Sequence, residues 1–197
     1  MIRPTPRAGC GAAVVLGLAL LGTLLDGVTG PEDPASYPDR ASSPYLLPWA
    51  GGERHLCAQG NRGLVSHRES DGEHAWDFAM PVGTPVHAAR AGTVRRVVDT
   101  NEGNGPDRPN NLVAIDHGDG TVGWYLHLMK GGARVTVGER VEQGQVVALS
   151  GHVGRSMFPH LHVHVTRDGR TIPITFRDVE GDGIPRMLRG YSSGNRR

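Results

Sequence analysis

The chain has 197 residues, enough for one domain with its own hydrophobic core and terminal extensions. Its formal net charge is +1, which gives no electrostatic preference for nucleic acid, and 29 glycines with 14 prolines favour a turn-rich β protein over a helical one. A disulfide framework is excluded, because Cys10 lies in a segment that we expect to be removed and Cys57 then has no cysteine partner. We interpret Cys57 as a small core residue, with a catalytic nucleophile as the alternative.

The N-terminal residues have the pattern of an export signal. Arg3 and Arg7 precede an uncharged run from Gly11 to Leu25, and small residues follow through Gly30. The run is short for a membrane span, which needs about 20 apolar residues. We therefore expect a signal peptide over residues 1–30, a secreted or periplasmic protein, and no stable membrane association after its removal. A retained anchor is the alternative, because no Ala-x-Ala cleavage site is present.

Composition divides the remaining chain into three parts. Prolines recur among Ser, Asp and Tyr from Pro31 to Pro48, which predicts an extended linker over residues 31–45. Short apolar segments separated by glycine turns then predict one all-β domain over residues 46–177. We expect residues 178–197 to form a tail on the surface.

The domain is predicted to consist of short antiparallel strands. Their expected ranges are 54–59, 75–80, 86–89, 92–99, 112–116, 121–128, 135–137, 141–147 and 160–165, with 172–176 as a closing strand. The sequence His117-Gly118-Asp119-Gly120 lies between two of these segments and is a strong hairpin signal. Pro173 would place the closing strand at a sheet edge. Helical periodicity is not sustained over three turns anywhere, so we predict an all-β fold.

Histidines alternate with apolar residues in the segment His160-Leu161-His162-Val163-His164. This period of two predicts a strand with one polar face and one buried face. Side chains two residues apart stand on the same face, about 6.6 Å apart along the strand. One histidine can therefore bind a metal while its neighbour reaches a substrate beside that metal, since histidine both ligates metals and exchanges protons near neutral pH. A solvated, histidine-rich face is the alternative.

Asp77 is the main upstream candidate for a partner of these histidines. It lies between Trp76 and Phe78, where an unpaired buried charge would be costly and a bound metal would balance it. His67 and His74 precede it in the chain, and either could share that metal.

Several segments in this order resemble the LytM/lysostaphin-type zinc metallopeptidases. They are Gly83-Thr84-Pro85-Val86 after the strand of Asp77, Tyr125-Leu126-His127-Leu128, the valine–glycine turns from Val137 to Val146, and Pro159-His160-Leu161-His162. The His-Leu-His motif alone would be weak, whereas four elements in order are specific. The resemblance covers roughly residues 46–175. It implies an antiparallel barrel-sandwich hybrid, the duplicated hybrid motif, with a groove across the sheet.

The resemblance also implies a hydrolytic site with one Zn²⁺ per chain. Its metal ligands would be His67, Asp77 and His162, which leave an open tetrahedral position for water. The catalytic residues would be His127 and His160, which orient or deprotonate this water and stabilise the oxyanion. His164 would support the site without binding the metal itself.

The first metal ligand is where the sequence departs from the family pattern. The family has a histidine four residues before the aspartate, and Glu73 occupies that position here. His74 lies three residues before Asp77, and His67 lies ten residues before it, directly after Ser66. Ser66-His67 ahead of a looped insertion, followed by the segment Trp76–Pro81, resembles a subset of family-like sequences, and by this resemblance we favour His67. A longer loop can return it to Asp77 at modest entropic cost. His74 remains the alternative.

By this resemblance the protein would be a secreted, monomeric zinc metalloendopeptidase that acts on peptidoglycan stem peptides or cross-bridges. The alternative is a catalytically inactive cell-wall-binding or regulatory protein with the same fold. The valine–glycine turns also suggest a lipoyl- or biotinyl-like carrier module. Such a module needs a lysine in a hairpin, and the only lysine, Lys130, precedes these turns.

Overall fold

The computed structural model describes residues 33–68 and 72–195, so the predicted signal peptide at 1–30 lies outside the described residues. In these two ranges the helical structure consists of two short 3-10 turns, Pro34–Ser36 and Arg40–Ser42. Neither range contains a helix that is long and apolar enough to span a membrane.

The described part of the chain is built from short strands. They are β1 Arg54–Gln59, β2 Trp76–Ala79, β3 Pro85–His87, β4 Gly92–Val98, β5 Leu112–Asp116, β6 Thr121–Leu126, β7 Arg140–Val141, β8 Val146–Leu149, β9 His160–Arg167, β10 Arg170–Thr171 and β11 Gly190–Ser192. The large sheet has the order β11-β1-β2-β9-β6-β5-β4-β7, with β10 paired to β9, and β3 pairs with β8 in a second sheet. Every pairing between these strands is antiparallel, which confirms the predicted fold class, and the large sheet does not close into a barrel.

Strand β9 lies in the middle of the large sheet and has two different faces. Leu161 and Val163 point into the core, where they are 0% and 3% exposed. The histidines that alternate with them point to the opposite face, as the period of two requires. On that face His162 pairs with Asp77 of β2 and with Leu126 of β6. The register therefore places Asp77 beside His162.

The core packs large aromatic side chains against the inner face of the sheet. Trp49 meets Phe78 edge-on at 4.9 Å, and Trp76 meets Phe176 edge-on at 5.2 Å between ring centroids. All four rings are fully buried, and Cys57 is buried with them, as predicted. Edge-to-face contacts of this kind add to the free energy gained by burying the rings.

The predicted closing strand over residues 172–176 is not formed. The strand that follows β9 is β10, a short hairpin partner that ends at Thr171. The chain then turns inward, and Ile174 and Phe176 are buried in the core. Pro173 has no N–H for a strand ladder. Burial of the two apolar side chains therefore determines the path of this segment.

Residues that follow the predicted domain pack against it. The segment expected to be a surface tail buries Val179 and Ile184, and β11 pairs with β1. The side-chain amide of Asn195 donates to the backbone carbonyls of Leu47 and Trp49. The expectation of a surface tail is therefore corrected, because these apolar side chains and the free edge of β1 are covered by this segment.

Candidate metal centre

Asp77 lies at the centre of the candidate site, in contact with three histidines. Its Oδ1 lies 2.8 Å from Nδ1 of His162, 3.3 Å from Nε2 of His67 and 3.5 Å from Nε2 of His160. Burial alone would raise the pKa of this carboxyl, but the surrounding imidazoles of His160, His162 and His67 hold the pKa well below its ordinary value. Asp77 is therefore a carboxylate at neutral pH.

Three of these residues are arranged as metal ligands. His67, Asp77 and His162 each offer one ligand atom, and these atoms lie within 4.8 Å of one another. Nε2 of His67 is buried and has no hydrogen-bond partner among the described residues. A buried polar atom without a partner is costly, and a cation between it and the carboxylate would remove that cost. Two imidazole nitrogens and one carboxylate oxygen fit Zn²⁺ and leave one coordination position open.

His67 reaches the site from the loop that joins β1 and β2. Its backbone N–H donates to Gly63 O at 3.1 Å, and its ring Nδ1–H donates to Gly60 O at 2.9 Å. The loop folds back on itself closely at Gly72, where an added Cβ would lie 3.2 Å from the carbonyl oxygen of Ser66. This return path brings the fully buried His67 ring to Asp77.

His74, the alternative ligand, lies elsewhere. Its backbone N–H donates to Thr171 Oγ1 at 3.4 Å, and its ring meets the Tyr37 ring edge-on at 6.0 Å. It is not one of the residues whose ligand atoms cluster in the described part of the chain. Of the two candidates, the structure therefore brings only His67 to Asp77.

His127 lies just beyond β6 rather than within it. The sequence predicts a strand over residues 121–128, but β6 ends at Leu126 and His127 has a φ of 63°, in the left-handed region. Its Nδ1–H donates to Val153 O at 2.8 Å, and its ring centroid lies 4.5 Å from that of His160. Burial, reinforced by the nearby charges of His160 and His162, lowers the pKa of His127 to about 3. The ring is therefore neutral.

His160 is oriented in the same way from the start of β9. Its Nδ1–H donates to Phe158 O at 2.7 Å, and Ser156 Oγ lies 3.2 Å from the same nitrogen. Burial would lower the pKa of His160, but the carboxylate of Asp77 raises it above its ordinary value. His67, His127 and His160 thus share one arrangement, in which Nδ1–H is bound to a backbone carbonyl and Nε2 is available to the site.

His164 and Gln59 support the cluster from opposite sides. Nδ1 of His164 lies 3.0 Å from Nε2 of His162, and burial lowers the pKa of His164 to about 3. Gln59 Nε2 donates to Asp77 Oδ2 at 3.0 Å and to Ser66 Oγ at 2.8 Å. The sequence pattern did not single out Gln59 as part of the site. Its only signal is a polar residue at the end of an otherwise half-buried strand.

A pocket of about 410 Å³ opens in front of the cluster. Its lining includes Ser66, Trp124, His127, Arg155, His162 and His164. The predicted metal ligand His162 and the predicted catalytic residue His127 therefore face the same space, which is large enough for part of a peptide.

Comparison with protein families gives a match that contains most of the candidate site residues. The model described as Peptidase family M23 matches residues 71–173. This segment contains Asp77, His127, His160 and His162, whereas His67 precedes it.

Individual relatives agree with the family match. The chain is 41% identical over 96 residues to the peptidoglycan DD-endopeptidase ShyA of Vibrio cholerae, covering 49% of this chain and 20% of the relative. It is 42% identical over 87 residues to the glycyl-glycine endopeptidase ALE-1 of Staphylococcus capitis, covering 44% and 22%. The chain thus spans about a fifth of the length of these relatives.

Among solved structures, the chain is similar to a variant of the catalytic domain of the prophage-encoded M23 protein EnpA from Enterococcus faecalis. The two share 25% sequence identity with a TM-score of 0.50, and the match covers 68% of this chain and 97% of the other.

Proposed function

The chain belongs to peptidase family M23, and from this premise we propose that it is a zinc-dependent endopeptidase of the bacterial cell wall. The substrates would be peptides of peptidoglycan, either stem peptides or cross-bridges, as the names of its relatives suggest. We further propose that residues 1–30 export the protein to the cell envelope and that it acts as a monomer. The main support is the convergence of two histidines and Asp77 on one point, with Nε2 of His160 beside it and the ring of His127 next to that of His160.

The metal would be held by His67, Asp77 and His162. When bound there, Zn²⁺ supplies a Lewis acid that polarises a carbonyl group and lowers the pKa of a water molecule. Gln59 would leave one carboxylate oxygen for the metal, because its amide donates to Oδ2 of Asp77 and Oδ1 faces the two histidines.

The ring of His162 is oriented by His164. If Nε2–H of His162 donates to Nδ1 of His164, the Nδ1 of His162 beside Asp77 carries the lone pair that would hold the metal. His164 can accept this hydrogen bond because burial lowers its pKa to about 3 and keeps the ring neutral. His164 thus acts through His162 and does not bind the metal itself.

His127 and His160 would carry the proton transfers. Their Nδ1–H groups are bound to the carbonyls of Val153 and Phe158, so only Nε2 can exchange a proton with a reacting group. The neutral ring of His127 can take the proton of the attacking water at Nε2. When protonated, as its raised pKa favours, His160 can donate Nε2–H to the oxyanion that forms on the scissile carbonyl. Their ring centroids are 4.5 Å apart, close enough for both to act on one peptide bond.

Two measurements on the purified protein test this proposal. Elemental analysis should find about one zinc per chain. Isolated peptidoglycan should gain new free amino groups with the zinc-loaded protein and none with protein from which a chelator has removed the zinc. Zinc binding without hydrolysis of peptidoglycan or its peptides would instead identify a cell-wall-binding or regulatory protein. Absence of zinc would contradict the proposed centre.

A further inference from the structure

The pocket in front of the metal centre continues as a longer trough across the large sheet. A second pocket of about 510 Å³ is lined by Arg95, Arg96, Val122 and Asp168. It shares Trp124, Thr166 and Gly169 with the pocket at the metal centre. The two pockets are therefore parts of one surface, which we call the trough.

Strand register explains the direction of the trough. His164 of β9 pairs with Trp124 of β6, Trp124 with Ala114 of β5, and Ala114 with Arg96 of β4. Directly paired residues share a face of the sheet, so these four form one row across four strands. With about 4.8 Å between strands, the row extends about 14 Å from β9, the length of about four residues of extended peptide.

The floor of the trough is apolar. A neighbouring row leads from His162 to Leu126, Leu112 and Val98. Leu126, Leu112 and Val98 belong to a hydrophobic cluster separate from the main core, together with Ala114, Val122 and Trp124. The floor can therefore contact the backbone and small side chains of an extended chain.

Arginines line both pockets of the trough. Arg155 is exposed beside His127 and His162, and Arg95 and Arg96 are exposed at the far end, next to a β-bulge. None of the three guanidinium groups makes a hydrogen bond or ion pair with any described residue. Asp168 is the single acidic side chain among the described residues that line the two pockets. Such a surface attracts anions, and a guanidinium group pairs with a carboxylate through two parallel hydrogen bonds.

We propose that the trough binds an extended peptide that carries free carboxylates, one recognised by Arg155 and another by Arg96 with Arg95 beside it. This inference rests on the proposed function and narrows its substrate class. The inference favours acidic stem peptides over neutral glycine cross-bridges as substrates. The two relatives do not decide between these substrates, because one is named a DD-endopeptidase and the other a glycyl-glycine endopeptidase.

Binding can be measured without cleavage in the zinc-loaded His160→Ala variant. The chain has 3 tryptophans, and Trp49 and Trp76 are fully buried, so fluorescence changes in the trough report on Trp124. The probes are L-Ala-γ-D-Glu-diaminopimelyl-D-Ala, the same peptide with its carboxyls amidated, and blocked pentaglycine. Calorimetry provides a second readout that does not depend on Trp124.

We expect the acidic peptide to bind at least about tenfold more tightly than either neutral probe, because a hydrogen bond to a charged group contributes that much or more. Arg155→Gln and Arg96→Gln should each reduce this preference by about tenfold. Arg140→Gln is the matched control, since Arg140 is exposed on β7 and does not line the trough.

Equal binding of acidic and neutral probes, or arginine variants that match the Arg140→Gln control, would overturn the inference. If the wild-type protein still hydrolyses peptidoglycan in that case, the proposed function stands without it. Conversely, the protein could prefer acidic peptides but neither bind zinc nor hydrolyse peptidoglycan. That result would support peptide binding in the trough and contradict the proposed function.

Discussion

At the scale of single residues, the candidate centre depends on which nitrogen of each histidine is available. His67, His127 and His160 each donate Nδ1–H to a backbone carbonyl, and these carbonyls belong to loops that the strands hold in place. The chemistry of the site is therefore tied to backbone positions outside the conspicuous motifs. Substitutions can separate the ligands from the residues that only move protons.

The first prediction concerns the choice between His67 and His74. His67→Ala should weaken zinc binding by several kcal/mol, since one of three protein ligands is lost from a tight site. His74→Ala is the control and should leave zinc affinity within about tenfold, because His74 contacts Thr171 and Tyr37 rather than Asp77. Titration with a competing chelator measures the zinc affinity of both variants. A larger loss of affinity in His74→Ala than in His67→Ala would contradict the assignment of His67 as the ligand.

The second prediction concerns the support from His164. His164→Ala should weaken zinc binding by about 10- to 100-fold, the usual effect of removing a hydrogen-bond partner of a metal ligand. His164→Gln retains an acceptor for Nε2–H of His162 and should restore part of this affinity. Equal affinity in the wild type and in His164→Ala would show that His162 needs no such partner.

The third prediction uses the left-handed backbone of His127. With φ at 63°, asparagine tolerates this position better than alanine. His127→Asn should therefore keep both the fold and the zinc, while turnover of a peptide substrate falls by about 100-fold or more, within the range of general acid–base catalysis. Loss of zinc from His127→Asn would instead indicate that His127 is a ligand.

At the scale of strands and loops, predictability depended on whether a pattern is local. The alternation in β9 and the hairpin around Asp119 follow from neighbouring residues, and both strands of that hairpin are present. Gln59 could not be predicted, because a β-bulge after Cys57 is what places it opposite Asp77. The inward path of residues 172–176 likewise depends on core side chains that distant segments supply and that the local sequence does not reveal.

The fourth prediction tests this inward path. Phe176→Ala should reduce the free energy of unfolding by about 3–5 kcal/mol, because it leaves a cavity against Trp76 in a well-packed core. Val137→Ala is the control and should change the free energy of unfolding by less than about 0.5 kcal/mol, since Val137 is 62% exposed. Denaturant unfolding measures both. A small effect of Phe176→Ala would mean that residues 172–176 lie on the surface.

At the scale of the whole molecule, the metal should link folding to function. His67 comes from a loop, Asp77 from β2 and His162 from β9, so one ion would join segments that are distant in the sequence. The family resemblance and the order of the motifs were visible in the sequence over most of the domain. Packing of residues 178–195 onto β1 was not, because the strand partner of a free edge is a property of the assembled sheet.

The central claim is that this chain hydrolyses peptide bonds with zinc held by His67, Asp77 and His162 and with proton transfer by His127 and His160. The most direct test compares the wild type with His160→Ala, both analysed for zinc, on cross-linked peptides released from isolated cell walls. We expect about one zinc per chain in both proteins and a turnover lower by about 100-fold or more in the variant. Equal turnover in the two proteins, or a wild type that hydrolyses these peptides without zinc, would contradict the claim.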